Sequence, residues 1–230
     1  MQRATPLETG ETYHVYNRGA HKMDIFRDDK SRRRFQALLL VCNRKEPAHL
    51  SNLLAKYQGP SSIKIFSEEA VPLDERLVDI FGYCLMPNHF HLILRQNVDR
   101  GITTFMRKVG TAYSMYFNLK YDHSGTLLQG RFKSQHVSSD SYFRWLFQYV
   151  HLNPLSIIEP DWKESSLKDE KRALAFLDTY AWSSYFDYAR RGRPERKIVT
   201  MSDAYENIGF ANMLQSVREH KTYQGPSLIK

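Results

Sequence analysis

The stretch from Met86 to Leu94 constrains this chain most, because an apolar run there contains two histidines separated by one residue. Side chains alternate between the two faces of a β-strand, so His89 and His91 point to one face and the apolar residues around them point to the other. Pro87-Asn88 is typical of a turn, and the apolar run before it predicts a partner strand. The sequence therefore predicts a hairpin near the centre of a sheet, with one packed face and one face that presents two imidazoles.

A pair of imidazoles on one strand supplies two of the ligands that a divalent metal needs. A tight zinc site usually has three or more protein ligands, so the pair better suits a hard ion that also binds water and phosphate oxygens. The pair alone is equally compatible with a hydrogen-bonded sheet surface that binds no metal. Other residues have to decide between these interpretations.

Composition narrows the class of protein. A chain of 230 residues with 42% hydrophobic and 25% charged residues is typical of one medium domain, or of one domain with an appendage. Cys42 and Cys84 lie in apolar segments without CxxC spacing, which indicates buried free thiols in a reducing cytoplasm. No run is long enough to span a bilayer and the N-terminus lacks an apolar core, so we expect no membrane partner and a cytoplasmic location of bacterial type. The net charge of +8 favours nucleic acid as a partner.

The hydrophobic periodicity predicts an order of strands and helices that is typical of a ferredoxin-like sheet. We expect an α+β protein with an antiparallel sheet, helices packed mainly on one face, and a mostly helical C-terminal extension. The predicted elements are a strand at 12–18, a helix from Asp28 or Asp29 to about 43, the hairpin at 77–94, a helix at 101–120, a strand at 130–137 and a helix after 138–140 that ends before Pro154.

The predicted domains are a core at residues 1–160 and an extension at 161–230. Residues 46–76 interrupt the core and are interpreted as an insertion, with a short helical patch at 50–56 and an extra strand at 63–66. In the extension, 190–197 is a basic linker that either binds DNA or only keeps the chain soluble, and 203–220 predicts a final helix. We assign the extension to DNA binding or specificity.

The last core helix places two polar residues on one flank. At about 100° per residue, Tyr149 lies on the border between the apolar stripe and solvent. Asn153 follows one helical turn later, so its amide lies beside the Tyr149 hydroxyl if the last turn stays helical. On the preceding strand, Arg131, Lys133 and Gln135 share a face, which suits a phosphate backbone or protects an exposed sheet edge.

At this point the sequence resembles a family, the IS200-like single-tyrosine (HUH, Y1) transposases, and most of all their REP-associated branch. The resemblance covers about 12–188 and depends on the order of five blocks. The blocks are His-Val-Tyr-Asn-Arg-Gly at 14–19, Leu-Met-Pro-Asn-His-Phe-His-Leu at 85–92, Gly-Arg-Phe-Lys-Ser at 130–134, Tyr-Val-His-Leu-Asn-Pro at 149–154 and Trp-Ser-Ser-Tyr at 182–185.

The resemblance implies a chemistry. His89 and His91 match the histidines that bind a divalent ion, Mg²⁺ or Mn²⁺; Tyr149 matches the nucleophile, and Asn153 matches the residue that completes the metal site. The implied reaction cleaves and rejoins single-stranded DNA near hairpins through a 5′-phosphotyrosine. Relatives are known as dimers with exchanged helices, and a monomer is equally compatible with the sequence. We expect DNA backbone contacts from Arg18, Arg131 and Lys133.

Two other functions stay open. In a metal-dependent hydrolase, water would be the nucleophile and one of His14, His136 or His151 would join the histidine pair as third ligand. In a non-catalytic DNA-binding module, the fold would persist without cleavage.

Overall fold

The computed structural model describes residues 6–46, 64–163, 167–189 and 192–200. The strands are β1 (Thr12–Arg18), β2 (Val78–Met86), β3 (His89–Gln96) and β4 (Lys133–His136). The α-helices are α1 (Asp29–Val41), α2 (Ile65–Glu68), α3 (Gly101–Tyr121), α4 (Asp140–Leu152), α5 (Glu170–Leu177) and α6 (Tyr185–Ala189). Short 3-10 helices lie at Ala20–Lys22, Leu73–Glu75, Asn153–Ile157 and Pro194–Ile198.

The strands form a four-stranded antiparallel sheet in the order β2-β3-β1-β4. This is the strand order of a ferredoxin-like sheet, so the predicted α+β class is confirmed. The predicted hairpin is also present, because β2 ends at Met86 and β3 begins at His89, with a two-residue turn between them. The carbonyl oxygen of Pro87 accepts hydrogen bonds from the backbone N–H groups of Ile25 and Phe26, which connects the turn to the segment after β1.

One face of the sheet packs against the two crossover helices. Phe90 and Leu92 of β3 and Val15 of β1 are buried there with side chains of α1 and α3. Each of these helices has a cause in the sequence: Asp28 caps α1 by accepting a hydrogen bond from the Ser31 N–H, and apolar residues recur at helical spacing in both helices.

The opposite face of the sheet is covered by α4. Ser139 caps this helix by accepting a hydrogen bond from the Tyr142 N–H, and its apolar stripe packs against Cys84 of β2 and Ile93 of β3. The helices are therefore divided, with α1 and α3 on one face and α4 on the other. Because α4 is the helix that contains Tyr149, this tyrosine lies on the face of the sheet to which the paired histidines point.

Two local predictions are wrong. Residues 63–66 were expected to form a strand, but Ile65 begins the short helix α2, in which Ile65 and Phe66 are buried. The strand expected at 130–137 begins only at Lys133, because Gly130 has a φ of 67° and the chain turns there. The predicted helical patch at 50–56 and the predicted helix at 203–220 lie outside the described residues. The division of the chain at residue 160 stays a prediction.

The segment after α5 attaches α4 to the sheet. The Ser184 hydroxyl oxygen accepts a hydrogen bond from the Tyr83 N–H at 2.8 Å and lies 2.7 Å from His151 Nε2. His151 Nδ1 lies 2.7 Å from the Phe147 carbonyl oxygen, which can only accept, so Nδ1 is protonated and Nε2 accepts from Ser184. Gly82 leaves the space that this ring needs, since a Cβ there would lie 3.3 Å from His151 Cε1.

The basic linker also has a structural role. The guanidinium of Arg193 pairs with the buried carboxylate of Asp187 and donates hydrogen bonds to the Tyr83 hydroxyl and to the carbonyl oxygens of Ala181 and Ser183. This arginine therefore holds the chain turn before α6 against β2. Within the described residues, no helix is both long and apolar enough to cross a membrane.

Replacement of Ser184 by alanine tests the attachment of α4. The variant leaves the Tyr83 N–H and His151 Nε2 without a partner in a buried position, so we expect the free energy of unfolding to fall by about 2–4 kcal/mol. Urea denaturation followed by circular dichroism measures the change. Ser124→Ala, at an exposed loop position, is the control and should stay within about 0.5 kcal/mol of the parent protein. A loss as small as the control's would mean that these hydrogen bonds do not hold the helix.

Candidate active site

The two histidines lie at the start of β3, on the face covered by α4. The centroids of the His89 and His91 rings are 5.0 Å apart. His91 is fully buried, whereas His89 is half-buried and faces the end of the sheet. The alternation predicted from the sequence is therefore present, with Phe90 and Leu92 in the opposite core.

Hydrogen bonds at Nδ1 orient both imidazoles. His89 Nδ1 lies 2.6 Å from the Asn88 Oδ1, an acceptor, so the ring donates through Nδ1 and keeps a lone pair on Nε2. His91 Nδ1 lies 2.8 Å from His14 Nε2, and His91 Nε2 is buried without a hydrogen-bond partner among the described residues. When His91 donates to His14, its Nε2 also has a free lone pair. A partner on the second ring nitrogen is the usual arrangement for metal-binding histidines.

Burial keeps these rings neutral at physiological pH. Burial lowers the pKa of His14 to about 3. Burial, together with the positive charges of Arg18 and Lys163, lowers the pKa of His89 to about 4. Burial also lowers the pKa of His91 well below its usual value. Only a neutral imidazole can donate a lone pair to a metal, so the lowered pKa values favour metal binding by these histidines.

Tyr149 lies beside the histidine cluster formed by His14, His89 and His91 of the same chain. Its ring lies 5.7 Å from the His91 ring and 6.4 Å from the His14 ring, edge to face in both cases. Trp145, one turn earlier, stacks on it with centroids 5.2 Å apart. The side chain is only 8% exposed, so it is more buried than its predicted border position, because the sheet face and Trp145 cover it.

The Tyr149 hydroxyl has two polar neighbours. Burial raises the pKa of this phenol, and the Asn153 side chain acts in the opposite direction through a hydrogen bond. Asn153 keeps a helical backbone and is 2% exposed, and its Nδ2 has no hydrogen-bond partner within hydrogen-bonding distance in the described part of the chain. The second neighbour is Lys163, whose Nζ donates to the Tyr149 hydroxyl oxygen at 3.2 Å.

The residues present fit a hard divalent ion. Among the described residues, no group of three or more His, Cys, Asp or Glu side chains could hold a metal. The chain offers instead two imidazoles with free Nε2 lone pairs, and Asn153 supplies an amide near Tyr149. A site with few protein ligands leaves coordination positions for water and phosphate oxygens, which is typical of Mg²⁺.

The three histidines considered as an additional metal ligand already make other polar contacts through their ring nitrogens. His14 is bound to His91 through Nε2, and both ring nitrogens of His151 are used by Phe147 and Ser184. His136 lies on the other face of the sheet against Tyr13, and its Nε2 pairs with Glu11. Of the three, His14 lies beside the pair, but its Nε2 contacts His91 Nδ1, and the described residues contain no group of three histidines that could hold a metal.

Sequence reasoning missed two residues of this site. Tyr16 is a second phenol, with its ring 6.0 Å from that of His91 and 4.9 Å from that of His14. The alternation along β1 could have placed it there, because His14 and Tyr16 are two residues apart. No sequence pattern predicts that Lys163 lies at this site, because the residue follows α4 after an irregular segment whose path the sequence does not specify.

The three basic residues expected to contact DNA are placed differently. Arg18 pairs with His89 in the register of β1 and β3, and Lys133 pairs with Tyr16, so both lie on the histidine face of the sheet. Arg131 precedes β4 and lines a groove of about 730 Å³ beside α3. The prediction that Arg131 shares a strand face with Lys133 is therefore wrong, because the strand begins after it.

Fold and site together define a class of protein in which paired histidines on a central strand face a tyrosine on a covering helix. Residues 64–153 of this chain match the model of a family described as IS200-like transposases. The resemblance to that family is confirmed over this region, which includes His89, His91, Tyr149 and Asn153.

One solved structure is similar in overall shape. It is titled "Structure of the REP associates tyrosine transposase bound to a REP hairpin", and the match covers 91% of this chain and 99% of that chain at 14% identity, with a TM-score of 0.48. Similarity at this level says nothing about the chemistry of this chain, and the REP-associated branch stays a prediction. No curated protein sequence matches the chain significantly.

Acid should unfold the protein through its buried histidines. The folded-state pKa of His14, about 3, lies below the unfolded value of 6.5, so its contribution to stability is complete above pH 6.5 and is lost as the pH falls towards 3. We expect this residue alone to lower the free energy of unfolding by about 1.4 kcal/mol per pH unit in that window. Urea denaturation at several pH values measures the slope. His14→Gln should reduce the slope by about 1.4 kcal/mol per pH unit, which corresponds to the loss of one titrating proton. The control His21→Gln, at an exposed position, should not reduce it. Equal slopes in both variants would contradict the assignment.

Proposed function

We propose that this protein is a metal-dependent single-tyrosine transposase, which cleaves and rejoins single-stranded DNA near hairpins through a 5′-phosphotyrosine. The observation that carries the proposal is the meeting of Tyr149 with the paired histidines on one face of the sheet, with 5.7 Å between the Tyr149 and His91 rings. The match of residues 64–153 to IS200-like transposases supports the same chemistry.

Tyr149 would act as the nucleophile. Its phenol gives its proton to solvent, and the phenolate oxygen attacks the phosphorus of the scissile phosphodiester. A bond forms between the tyrosine oxygen and phosphorus, and the bond from phosphorus to the 3′ oxygen breaks. The 3′ oxygen takes a proton from solvent, which leaves a 5′-phosphotyrosine and a free 3′-OH. Attack by another 3′-OH on the phosphotyrosine reverses these steps, so rejoining needs no ATP.

His89, His91 and Asn153 would hold the metal. A bound Mg²⁺ or Mn²⁺ would neutralise charge on the scissile phosphate. The chain's own contribution is to keep both imidazoles neutral and fixed in orientation through Asn88 and His14. This arrangement would account for a fully buried His91 and a half-buried His89 beside a hydroxyl that is itself shielded from water.

DNA is the proposed partner. The net charge of +8 favours a polyanion, and Arg18 and Lys133 lie on the same face of the sheet as the histidines. A single strand is the proposed form of the DNA, because a strand must be free to enter a site that α4 covers. Arg131 would contact DNA from the groove beside α3, on the other face of the sheet. A monomer would suffice for cleavage, since one chain supplies both the histidines and Tyr149, and a homodimer is the alternative. Such a protein would act in the cytoplasm.

Covalent capture tests the proposal. The full chain is incubated with Mg²⁺ or Mn²⁺ and a pool of labelled hairpins that have randomised loops and single-stranded flanks. We expect an adduct that survives denaturant, with mass spectrometry locating the nucleotide on Tyr149. Tyr149→Phe should abolish the adduct, and His89→Ala should reduce it strongly.

Tyr16→Phe is the matched variant, because it removes the other phenol beside His91. An adduct that depends on Tyr16 and persists without Tyr149 would overturn the nucleophile assignment. Multiple turnovers without an adduct would favour a hydrolase. Hairpin binding without cleavage, in either metal, would favour a DNA-binding module.

The position of Lys133 predicts a phosphate contact. Lys133→Ala should weaken binding of hairpin DNA regardless of its sequence and should reduce the slope of log affinity against log salt by about one. Fluorescence anisotropy across a salt series measures both. Lys171→Ala removes an equal charge from the exposed side of α5 and should leave the slope unchanged. A slope that is the same in the two variants would exclude Lys133 from the DNA interface.

A further inference from the structure

Lys163 contacts the Tyr149 hydroxyl oxygen, which is the nucleophilic atom of the proposed reaction. It follows the 3-10 helix after α4, and its Nζ donates to the Tyr149 hydroxyl oxygen at 3.2 Å. The same nitrogen is 4.5 Å from the centroid of the Tyr149 ring. The ammonium therefore touches both the oxygen and the π-face of the nucleophile, and the half-buried side chain is partly shielded from water.

The surroundings of Tyr149 make this charge important. The ring is only 8% exposed, and the titratable groups that face it from the sheet are His14, Tyr16, Cys84 and His91. Burial favours the neutral form of both imidazoles and of the thiol. Tyr142, on the same helix, is a further phenol near Tyr149. A negative oxygen in this environment needs a nearby cation, because water cannot reach it freely.

We propose that Lys163 is a catalytic residue whose ammonium stabilises negative charge on the Tyr149 oxygen. The inference rests on the proposed transposase function. During cleavage, this oxygen becomes negative when its proton leaves to solvent and before its bond to phosphorus is complete. During rejoining, the incoming 3′-OH loses its proton, its oxygen bonds to phosphorus, and the Tyr149 oxygen leaves with the electron pair. Lys163 stays protonated throughout and acts in both directions.

The test replaces Lys163 with cysteine and then restores the ammonium chemically. Treatment of Lys163→Cys with 2-bromoethylamine produces a thioether analogue of lysine, whereas iodoacetamide produces a neutral side chain. The native thiols should not react, because Cys42 and Cys84 are buried and burial raises the pKa of both. Lys171→Cys, carried through the same treatments, controls for charge loss and for alkylation.

Single-turnover adduct formation is measured with saturating hairpin DNA and Mg²⁺, so that binding does not limit the rate. We expect Lys163→Cys and its neutral derivative to be slower on the order of 10²-fold, by analogy with loss of one donor to a developing oxyanion. Rejoining of the isolated adduct to a 3′-OH strand should slow by a similar factor. The aminoethyl derivative should recover most of both rates, and DNA affinity should stay close to that of the parent protein.

A second measurement needs no DNA. The rate at which a small aryl sulfonyl fluoride modifies Tyr149, located by mass spectrometry, reports on the same oxygen as it attacks sulfur and displaces fluoride. We expect Lys163→Cys to slow this modification and aminoethylation to restore it, with no change in the Lys171 series.

The outcomes separate the inference from the function on which it rests. Adducts that form at equal rates in all variants would overturn the role of Lys163 and leave the transposase proposal standing. If the parent protein forms no adduct, the proposed function fails, and the sulfonyl fluoride rates then decide whether Lys163 acts on the Tyr149 oxygen. The role of Lys163 would also be overturned if Lys163→Cys cleaves slowly and both derivatives, neutral and aminoethyl, recover the rate equally. Packing of the side chain, and not its charge, would then be responsible.

Discussion

The period of two along β3 sorts its side chains into two different environments, and the rest of the fold follows from that separation. Phe90 and Leu92 enter a core that α1 and α3 close, whereas His91 and Ile93 face α4. A central strand buried on both faces usually has apolar residues on each. Here one face contains an imidazole that must find a polar partner, and His14 on the neighbouring strand provides it at 2.8 Å. The sheet thus holds a polar cluster without exposing it to solvent.

Burial has opposite consequences for the two kinds of group in this cluster. It favours the neutral form of the histidines, which is the form that can bind a metal, and it disfavours the phenolate of Tyr149, which is the form that would attack in the proposed reaction. In the proposed reaction, the same buried environment would therefore favour metal binding by the histidines and would oppose ionisation of the nucleophile. A site of this kind would become active when DNA and metal bring their charges to it, and Lys163 and Asn153 already adjoin the oxygen that has to respond.

Much of the fold could be predicted because strong local patterns decide it. Helical spacing with caps at Asp28 and Ser139 marked α1 and α4, and the Pro87-Asn88 turn marked the hairpin. The prediction for residues 63–66 was wrong because a short apolar run has no clear period, and packing makes it helical. The burial of Tyr149 was underestimated because the angular position of a residue on a helix does not show that a second face of the sheet will cover it.

The site was predictable only where its residues share one element. His89 and His91 follow from strand alternation, and Asn153 follows from helical spacing after Tyr149. Contacts between elements had no such signal: the partners His14 and Lys163 are set by strand register and by an irregular chain path. Ser184, which is distant in the sequence, reaches His151 only because the C-terminal segment returns to β2. Local periodicity does not contain that information.

The glycine at position 82 allows the helix that contains Tyr149 to pack closely on the sheet. On the face that α4 covers, the next side chain along β2 is Cys84, whereas Tyr83 points into the opposite core. Gly82 therefore provides a position without a side chain, against which the imidazole of His151 lies. A Cβ at position 82 would lie 3.3 Å from His151 Cε1, so either the ring or the helix would have to shift, and a shift of the helix would also move Tyr149, two residues earlier.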